Sequence, residues 1–227
     1  MADDVRSADR LLPAAQIPMA AEVSVVWCDF GGVLTSPISE AFDRLVSAAG
    51  VPAAALRSAI SAVADECGMQ LLEPMERGLM PQREWGLRVT AALAPDWTPR
   101  VDLTRFADHW YEGRTMNNAL LDCLADCRRR GLRVGLLTNS VAEWEPHRAA
   151  LMPDTSMFEV TINSHEIGLR KPDPEIYRMA EDAFGVQPRQ CLLIDDTPVN
   201  CAAAQARGWQ TILHSSLEHT LNRLAQL

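Results

Sequence analysis

Apolar positions along this chain change their spacing twice, and the changes divide it. Val23-Ser24-Val25-Val26-Trp27-Cys28 is a short apolar block rich in β-branched residues, the pattern of a buried strand. It ends in Asp29, with Gly31 and Gly32 close behind. Helical spacing then takes over. Ser36-Pro37 reads as a cap residue before a proline at the first helical position. Phe42, Leu45, Val46 and Ala49 form an apolar stripe that Gly50 ends. Pro52 opens a second helix carrying Ala55, Ile60 and Val63, and further helical pieces cover Arg83 to Leu93 and Leu103 to Tyr111. Residues 36–115 contain no convincing strand. A plain parallel crossover needs about a dozen residues, so this far longer block reads as an inserted helical cap.

From Asn118 the two spacings alternate. A helix with Leu120, Cys123, Leu124 and Cys127 on one face ends at Gly131. The strand Leu132 to Leu137 follows and runs into Thr138-Asn139-Ser140. A helix from Val141 to Leu151 leads to a strand from Met157 to Ile162, then to a loop from Asn163 to Asp173. Asp173-Pro174 starts a helix that Gly185 ends. The strand Cys191 to Ile194 runs into Asp195-Asp196, and Thr197-Pro198 starts a helix that stops at Gly208. Trp209 to Leu213 forms the last strand, and an amphipathic helix begins at Ser216. Strands alternating with helices predict βαβ units and a parallel sheet. The expected division is a loosely held tail over 1–21, a Rossmann-like α/β core over 22–35 and 116–227, and the helical cap over 36–115.

Asp29, Thr138 and Asp196 each fall just past the C-terminal end of a strand, the edge where open parallel sheets bind ligands. For the three to meet, the first strand must be central, which predicts a five-stranded sheet of order 3-2-1-4-5. Lys171, in the loop after the third strand, is long enough to reach the same point. A carboxylate at the tip of a buried strand is costly unless something positive meets it. Two carboxylate positions, a hydroxyl with neighbouring backbone N–H groups and a lysine suit one task. The carboxylates would hold Mg²⁺, which favours oxygen ligands together with water and substrate phosphate. The lysine and hydroxyl would bind the other phosphate oxygens as charge moves. A carboxylate nucleophile would form an aspartyl-phosphate that water cleaves.

Composition narrows the partners. The net charge of −9 argues against general attraction to nucleic acid or an anionic membrane. Arg128-Arg129-Arg130 complements the dipole of a helix end. No apolar run reaches membrane-spanning length. Asp3 and Asp4 stand where an export signal would be basic, and Pro13 and Pro18 interrupt the apolar run there. The six cysteines show no paired framework or CxxC spacing. A cytoplasmic monomer or homodimer acting on a small phosphorylated metabolite is therefore expected.

Four segments carry a family resemblance. Asp29-Phe30-Gly31-Gly32-Val33-Leu34, Leu137-Thr138-Asn139-Ser140, Gly168-Leu169-Arg170-Lys171-Pro172-Asp173-Pro174 and Leu193-Ile194-Asp195-Asp196 resemble, in order, the four motifs of the haloacid dehalogenase-like hydrolase superfamily. The resemblance spans about residues 23–215. The helical insertion after the first motif is similar to the cap of the branch holding haloacid dehalogenases and many small-molecule phosphatases. The third segment is similar to a subgroup that includes sugar-1-phosphatases and the phosphatase domain of soluble epoxide hydrolase. The resemblance implies Asp29 as nucleophile and Mg²⁺ ligand, the main-chain carbonyl of Gly31 as a second ligand and Asp196 as a third. It places Asp195 behind these ligands, and Asn200 where relatives often carry another Asp. It implies Thr138 and the N–H of Asn139 as phosphate binders, and Lys171 paired with both phosphate and Asp29.

One position departs from that pattern. Phosphatases of the superfamily usually place a second Asp two residues after the nucleophile as general acid and base, and here that position is Gly31. Such a group is typically worth about 10²–10⁴-fold, so good leaving groups such as acyl phosphates, diphosphates or anomeric sugar phosphates should suffer least. Two other readings stand beside the phosphatase. A metal-free 2-haloacid dehalogenase also lacks the second Asp, but would crowd Asp29, Asp195 and Asp196 together with no cation. A non-catalytic protein that binds a phosphorylated ligand or partner would have no need of a nucleophile. His109-Trp110-Tyr111, Trp85, Trp97 and Trp144 read as packing aromatics, His165-Glu166 as a loop position, and Glu76, Arg77 and Arg83 as a solvated helix face. Either His147 or His165 could stand in for the missing base.

Overall fold

A computed structural model describes residues 23–227. The expected tail over 1–21 lies outside the described residues. Strand β1 (Val25–Cys28) is followed by five helices: α1 (Ile38–Ala49), α2 (Ala53–Asp65), α3 (Glu73–Glu76), α4 (Gln82–Leu93) and α5 (Phe106–Tyr111). Then come α6 (Asn118–Arg129), β2 (Arg133–Thr138), α7 (Glu145–Leu151), β3 (Val160–Asn163), α8 (Ser164–Ile167) and α9 (Pro174–Phe184). The chain closes with β4 (Cys191–Asp195), α10 (Pro198–Ala206), β5 (Gln210–Leu213) and α11 (Leu217–Leu224).

The strands form one parallel sheet of order β3-β2-β1-β4-β5, as the spacing predicts. β1 is central and buried along its whole length, so its run of apolar residues need not alternate with polar ones. Successive side chains still point to opposite faces. Val26 and Cys28 join Val134, Leu136, Leu192 and Ile194 on one face, against α1, α6 and α11. Val25 and Trp27 join Leu137, Cys191 and Leu193 on the other, against Ile176, Tyr177, Ala180 and Phe184 of α9 and Ala204 of α10. The first of these clusters continues without a break into Leu56, Trp85, Val89 and Phe106 of the helical segment.

Several boundaries differ from expectation. Ser36 is not a helix cap, because α1 begins at Ile38 with Pro37 at the cap position and no side-chain cap bond. Ser36 instead donates its N–H to Thr115 O (3.0 Å), and Asn117 N–H donates to Leu34 O (2.8 Å). With the bridge between Thr35 and Met116, the two passages between sheet and helices are held side by side. The helix expected from Val141 divides into a 3-10 turn over Ala142–Trp144 and α7, with Pro146 near the start of α7. The loop expected over Asn163 to Asp173 contains the single helical turn α8. Among the described residues no single helix is long and apolar enough to cross a membrane.

Trp27 shows how tightly the second face is filled. It is fully buried and meets Phe184 edge-on, with ring centroids 4.9 Å apart. Gly135, its neighbour on β2, makes the room: a Cβ there would stand 2.5 Å from the Trp27 ring and 3.0 Å from that of Phe184. Close-packed interiors resist such insertions. Gly135→Ala is expected to cost about 1–3 kcal/mol, read as a lowered urea midpoint with unchanged slope.

Candidate functional site

The C-terminal ends of β1, β2 and β4, with the loop after α8, converge on a cavity of about 830 Å³ roofed by the helical segment. Asp29, Gly31, Thr138, Asn139, Lys171 and Asp196 all line it. Asp195 does not line it and is completely buried beneath.

Main-chain bonds fix the first carboxylate. Asp29 N–H donates to Ile194 O (2.9 Å), continuing the β1–β4 ladder by one residue. Gly32 follows with φ +78, a left-handed turn suited to glycine. A Cβ there would lie 2.2 Å from Asp196 Oδ2, so the turn also makes room for the second carboxylate.

Lys171 is 1 % exposed and sits between two carboxylates, with Nζ 2.9 Å from Asp29 Oδ1 and 2.6 Å from Asp195 Oδ2. Burial works against its charge, but Asp195 and Asp29 outweigh that effect and hold its pKa above the usual lysine value. The Asn139 side chain grips the lysine's backbone from both sides. Its Nδ2 donates to Lys171 O (2.9 Å), and Lys171 N–H donates to Oδ1 (2.8 Å). Asp195 also accepts from Thr197 N–H (2.9 Å) and from Asn200 Nδ2 (3.0 and 3.2 Å). Asn200 thus gives Asp195 donors and brings no further negative charge.

Asp29, Asp195 and Asp196 each offer a carboxylate oxygen within 4.8 Å of the others. The pKa of Asp29 is raised to about 7: burial is the largest cause, Lys171 opposes it, and Asp195 and Asp196 add to it. Burial and then Asp195 raise Asp196 as well.

The cavity walls are largely apolar and aromatic. Phe106 and Trp110 stack (5.1 Å between centroids), Trp110 stacks on Trp144 (5.7 Å), and Tyr111 meets Trp144 edge-on (5.9 Å). These rings pack together, as read from the sequence, and also line the cavity; Trp85, Trp97 and His109 do not line it. Neither histidine offered as a substitute base lines it either. His147 stacks on Tyr111 and lies 3.3 Å from Asp108.

The sequence reading missed three buried or half-buried cations at the cavity: Arg114, Arg148 and Arg170. Arg148 pairs with Glu145 and donates to Asn163 Oδ1 (2.7 Å). Arg170 Nε lies 2.7 Å from Glu76 Oε2. That pair corrects the expected solvated face on α3. Glu76 is buried, and Arg77 binds Glu73 (2.8 Å), Asp173 (2.8 Å) and Gly168 O (3.0 Å). Arg83 alone of that set is exposed. A one-turn helix such as α3 has too few residues for a readable period, and these partners lie some ninety residues away in the chain. The only sequence signal was the concentration of charge at Glu73, Glu76 and Arg77.

A model of the haloacid dehalogenase-like hydrolases matches residues 23–208. The chain belongs to that family. Within it, the chain is 40% identical over 75 residues to a phosphoserine phosphatase from Thermus thermophilus, covering 33% of this chain and 30% of that one. It is 32% identical over 123 residues to a phosphatase from Mycobacterium tuberculosis, covering 53% and 52%. The chain thus spans about half or less of the length of these curated relatives. A HAD family enzyme from Bacteroides thetaiotaomicron, solved in complex with magnesium and inorganic phosphate, superposes with a TM-score of 0.61 at 21% identity, covering 87% of this chain and 98% of that one. The L-2-haloacid dehalogenase from Xanthobacter autotrophicus superposes with a TM-score of 0.59 at 18% identity, covering 89% and 82%. These two likenesses establish the shared fold.

The raised Asp29 pKa gives a stability test in metal-free protein. Between pH 4 and 7 folded Asp29 keeps a proton that the unfolded chain, with a pKa near 3.8, has released. The folded state then binds more protons than the unfolded state, so this contribution is full below the lower value and lost as pH rises to about 7. Urea unfolding in a chelator, from pH 4 to 8, should show the native chain losing stability relative to Asp29→Asn up to about pH 7, with no further divergence above.

Proposed function

We propose that the chain is a Mg²⁺-dependent phosphohydrolase acting on a small phosphorylated compound through an aspartyl-phosphate on Asp29. The observation that carries this reading is the Lys171 ammonium between Asp29 and Asp195 at the cavity floor, with Asp196 alongside. Three buried or half-buried carboxylates around one ammonium leave negative charge that a hard divalent cation would balance. The oxygens of Asp29 and Asp196, together with the main-chain carbonyl of Gly31, would make the oxygen-only donor set that Mg²⁺ favours. This electrostatic demand weighs against a metal-free dehalogenase.

In this reading Asp29, Gly31 and Asp196 hold the ion, and Asp195 holds Lys171. Bound Mg²⁺ would neutralise phosphate charge. Lys171 ties down one oxygen of Asp29 and leaves the other to attack phosphorus. The oxygen–phosphorus bond of Asp29 forms as the bond from phosphorus to the leaving oxygen breaks, and that oxygen departs with the electron pair. Thr138 and the N–H of Asn139 hold phosphate oxygens beside the lysine. Water then attacks the phosphorus of the aspartyl-phosphate, which releases phosphate and restores the carboxylate. Residues 36–115 act as a cap over the 22–35 and 116–227 core, shielding the site from bulk water during transfer.

Gly31 supplies no proton to the leaving oxygen. The native chain should therefore cleave an aryl phosphate at least about 100-fold faster than an alkyl phosphate. Hydrolysis of the aryl ester should require Mg²⁺ and disappear in Asp29→Asn. Turnover that survives this substitution would overturn the mechanism. A native chain that binds Mg²⁺ and a phosphate analogue but turns nothing over would point to a ligand-binding protein.

A further inference from the structure

Each cation at the cavity can be asked what neutralises it. Lys171 has Asp29 and Asp195, Arg170 has Glu76, and Arg148 has Glu145. Arg57 is exposed and lies over the Phe42 ring, 4.3 Å from its centroid. Arg114 is different. It is 5 % exposed, and among the described residues no carboxylate lies within ion-pair distance of it. Its Nη2 donates to Thr35 Oγ1 (2.9 Å) and Ser36 O (3.4 Å), and its buried Nε has no hydrogen-bond partner among the described residues. The guanidinium lies over Tyr111 and Trp110, 5.3 and 5.9 Å from their centroids. Burial and Arg44 work against its charge, while Asp29 and Asp196 favour it from beyond ion-pair distance. Stacking and neutral acceptors are weak compensation for a buried charge.

Its position gives that charge a use. A Cβ placed on Gly31 would stand 3.8 Å from Arg114 Nη2 and 2.9 Å from Ile38 Cδ1. Arg114 therefore faces the space into which a side chain at position 31 would project, beside Asp29. With no side chain at position 31, the chain presents a guanidinium to this part of the cavity.

We propose that Arg114 binds a second anionic group of the substrate, a carboxylate or phosphate on the leaving portion. Resting on the phosphohydrolase reading above, this narrows its substrate class to phosphorylated compounds whose leaving portion is itself negatively charged. Guanidinium pairs with either group through a planar fork of donors, and burial strengthens that pairing. An anion seated there supplies a counter-charge at contact distance, where Asp29 and Asp196 act on the guanidinium only from beyond ion-pair reach. It also binds the part of the substrate that gains negative charge as the bond breaks, at the point where no proton is available.

The test compares non-hydrolysable probes by calorimetry on the full chain with saturating Mg²⁺. Methylphosphonate carries one anionic group, while phosphonoacetate and 3-phosphonopropionate carry a carboxylate at two reaches. At least one two-anion probe should bind about tenfold or more tightly than methylphosphonate, the scale of one charge-assisted hydrogen bond. Arg114→Gln should reduce that ratio to within about threefold, and Arg114→Lys should retain part of it. The ratio cancels a general loss of phosphate binding, and thermal unfolding verifies that each variant is folded. Equal binding of all probes to the native chain would overturn the proposal. So would a preference that survives Arg114→Gln, since it would arise from the metal alone. In both cases Asp29-dependent turnover of aryl phosphate would leave the phosphohydrolase reading standing. Binding of no probe would overturn the proposal as well, and only if Mg²⁺- and Asp29-dependent turnover of aryl phosphate were also absent would the phosphohydrolase reading fall with it.

Discussion

A lysine ammonium taken out of water is the constraint on which this structure depends. Lys171 can be buried only because Asp29 and Asp195 meet it at hydrogen-bonding distance. Those two residues can meet it only if β1 and β4 are neighbours in register. The lysine itself must arrive at a fixed height, and the two-bond grip of the Asn139 side chain, carried at the end of β2, provides that. Asn200 and the Thr197 N–H then satisfy the remaining lone pairs of Asp195. Sheet order, loop conformation and site electrostatics are thus one problem with one solution.

Much of this was legible in the chain because a parallel sheet converts sequence into position. A side chain just past a strand must lie at one edge, so Asp29, Thr138 and Asp196 could be placed together with no knowledge of the turns between them. The strand order followed from requiring them to meet. The polar contacts of long side chains were not legible in this way. Asn139 was read for its backbone N–H, while its side chain holds Lys171. Arg114, Arg148 and Arg170 reach the cavity from segments whose mutual placement depends on packing between distant elements. Glu76 and Arg77 were read as solvated because a single helical turn shows no face. Ser36 had a cap's local grammar, yet its backbone is claimed by Thr115 across the passage into the helices.

The glycine at position 31 leaves no side chain beside Asp29 and so decides what the neighbouring space contains. Ile38 fills part of it, and Arg114 faces the rest, tied through Thr35 to the other chain passage. The local environment around Asp29 is therefore set by both passages together. The second of them lies some eighty residues further along the chain.

Arg77 and Arg170 have a consequence for how this protein could be remodelled. Together they stitch α3 to the loop that delivers Lys171, through Glu73, Glu76, Asp173 and the carbonyl of Gly168. The contact is close enough that a Cβ on Gly78 would meet His165 O at 2.6 Å. The helical segment is therefore not an interchangeable module. A chimera that took these helices from another member of the family would leave Asp173 without its guanidinium and Arg170 without its carboxylate, on the very loop that sets the lysine. Transplanting specificity into this scaffold means moving α3 and the Gly168–Asp173 loop as one matched set.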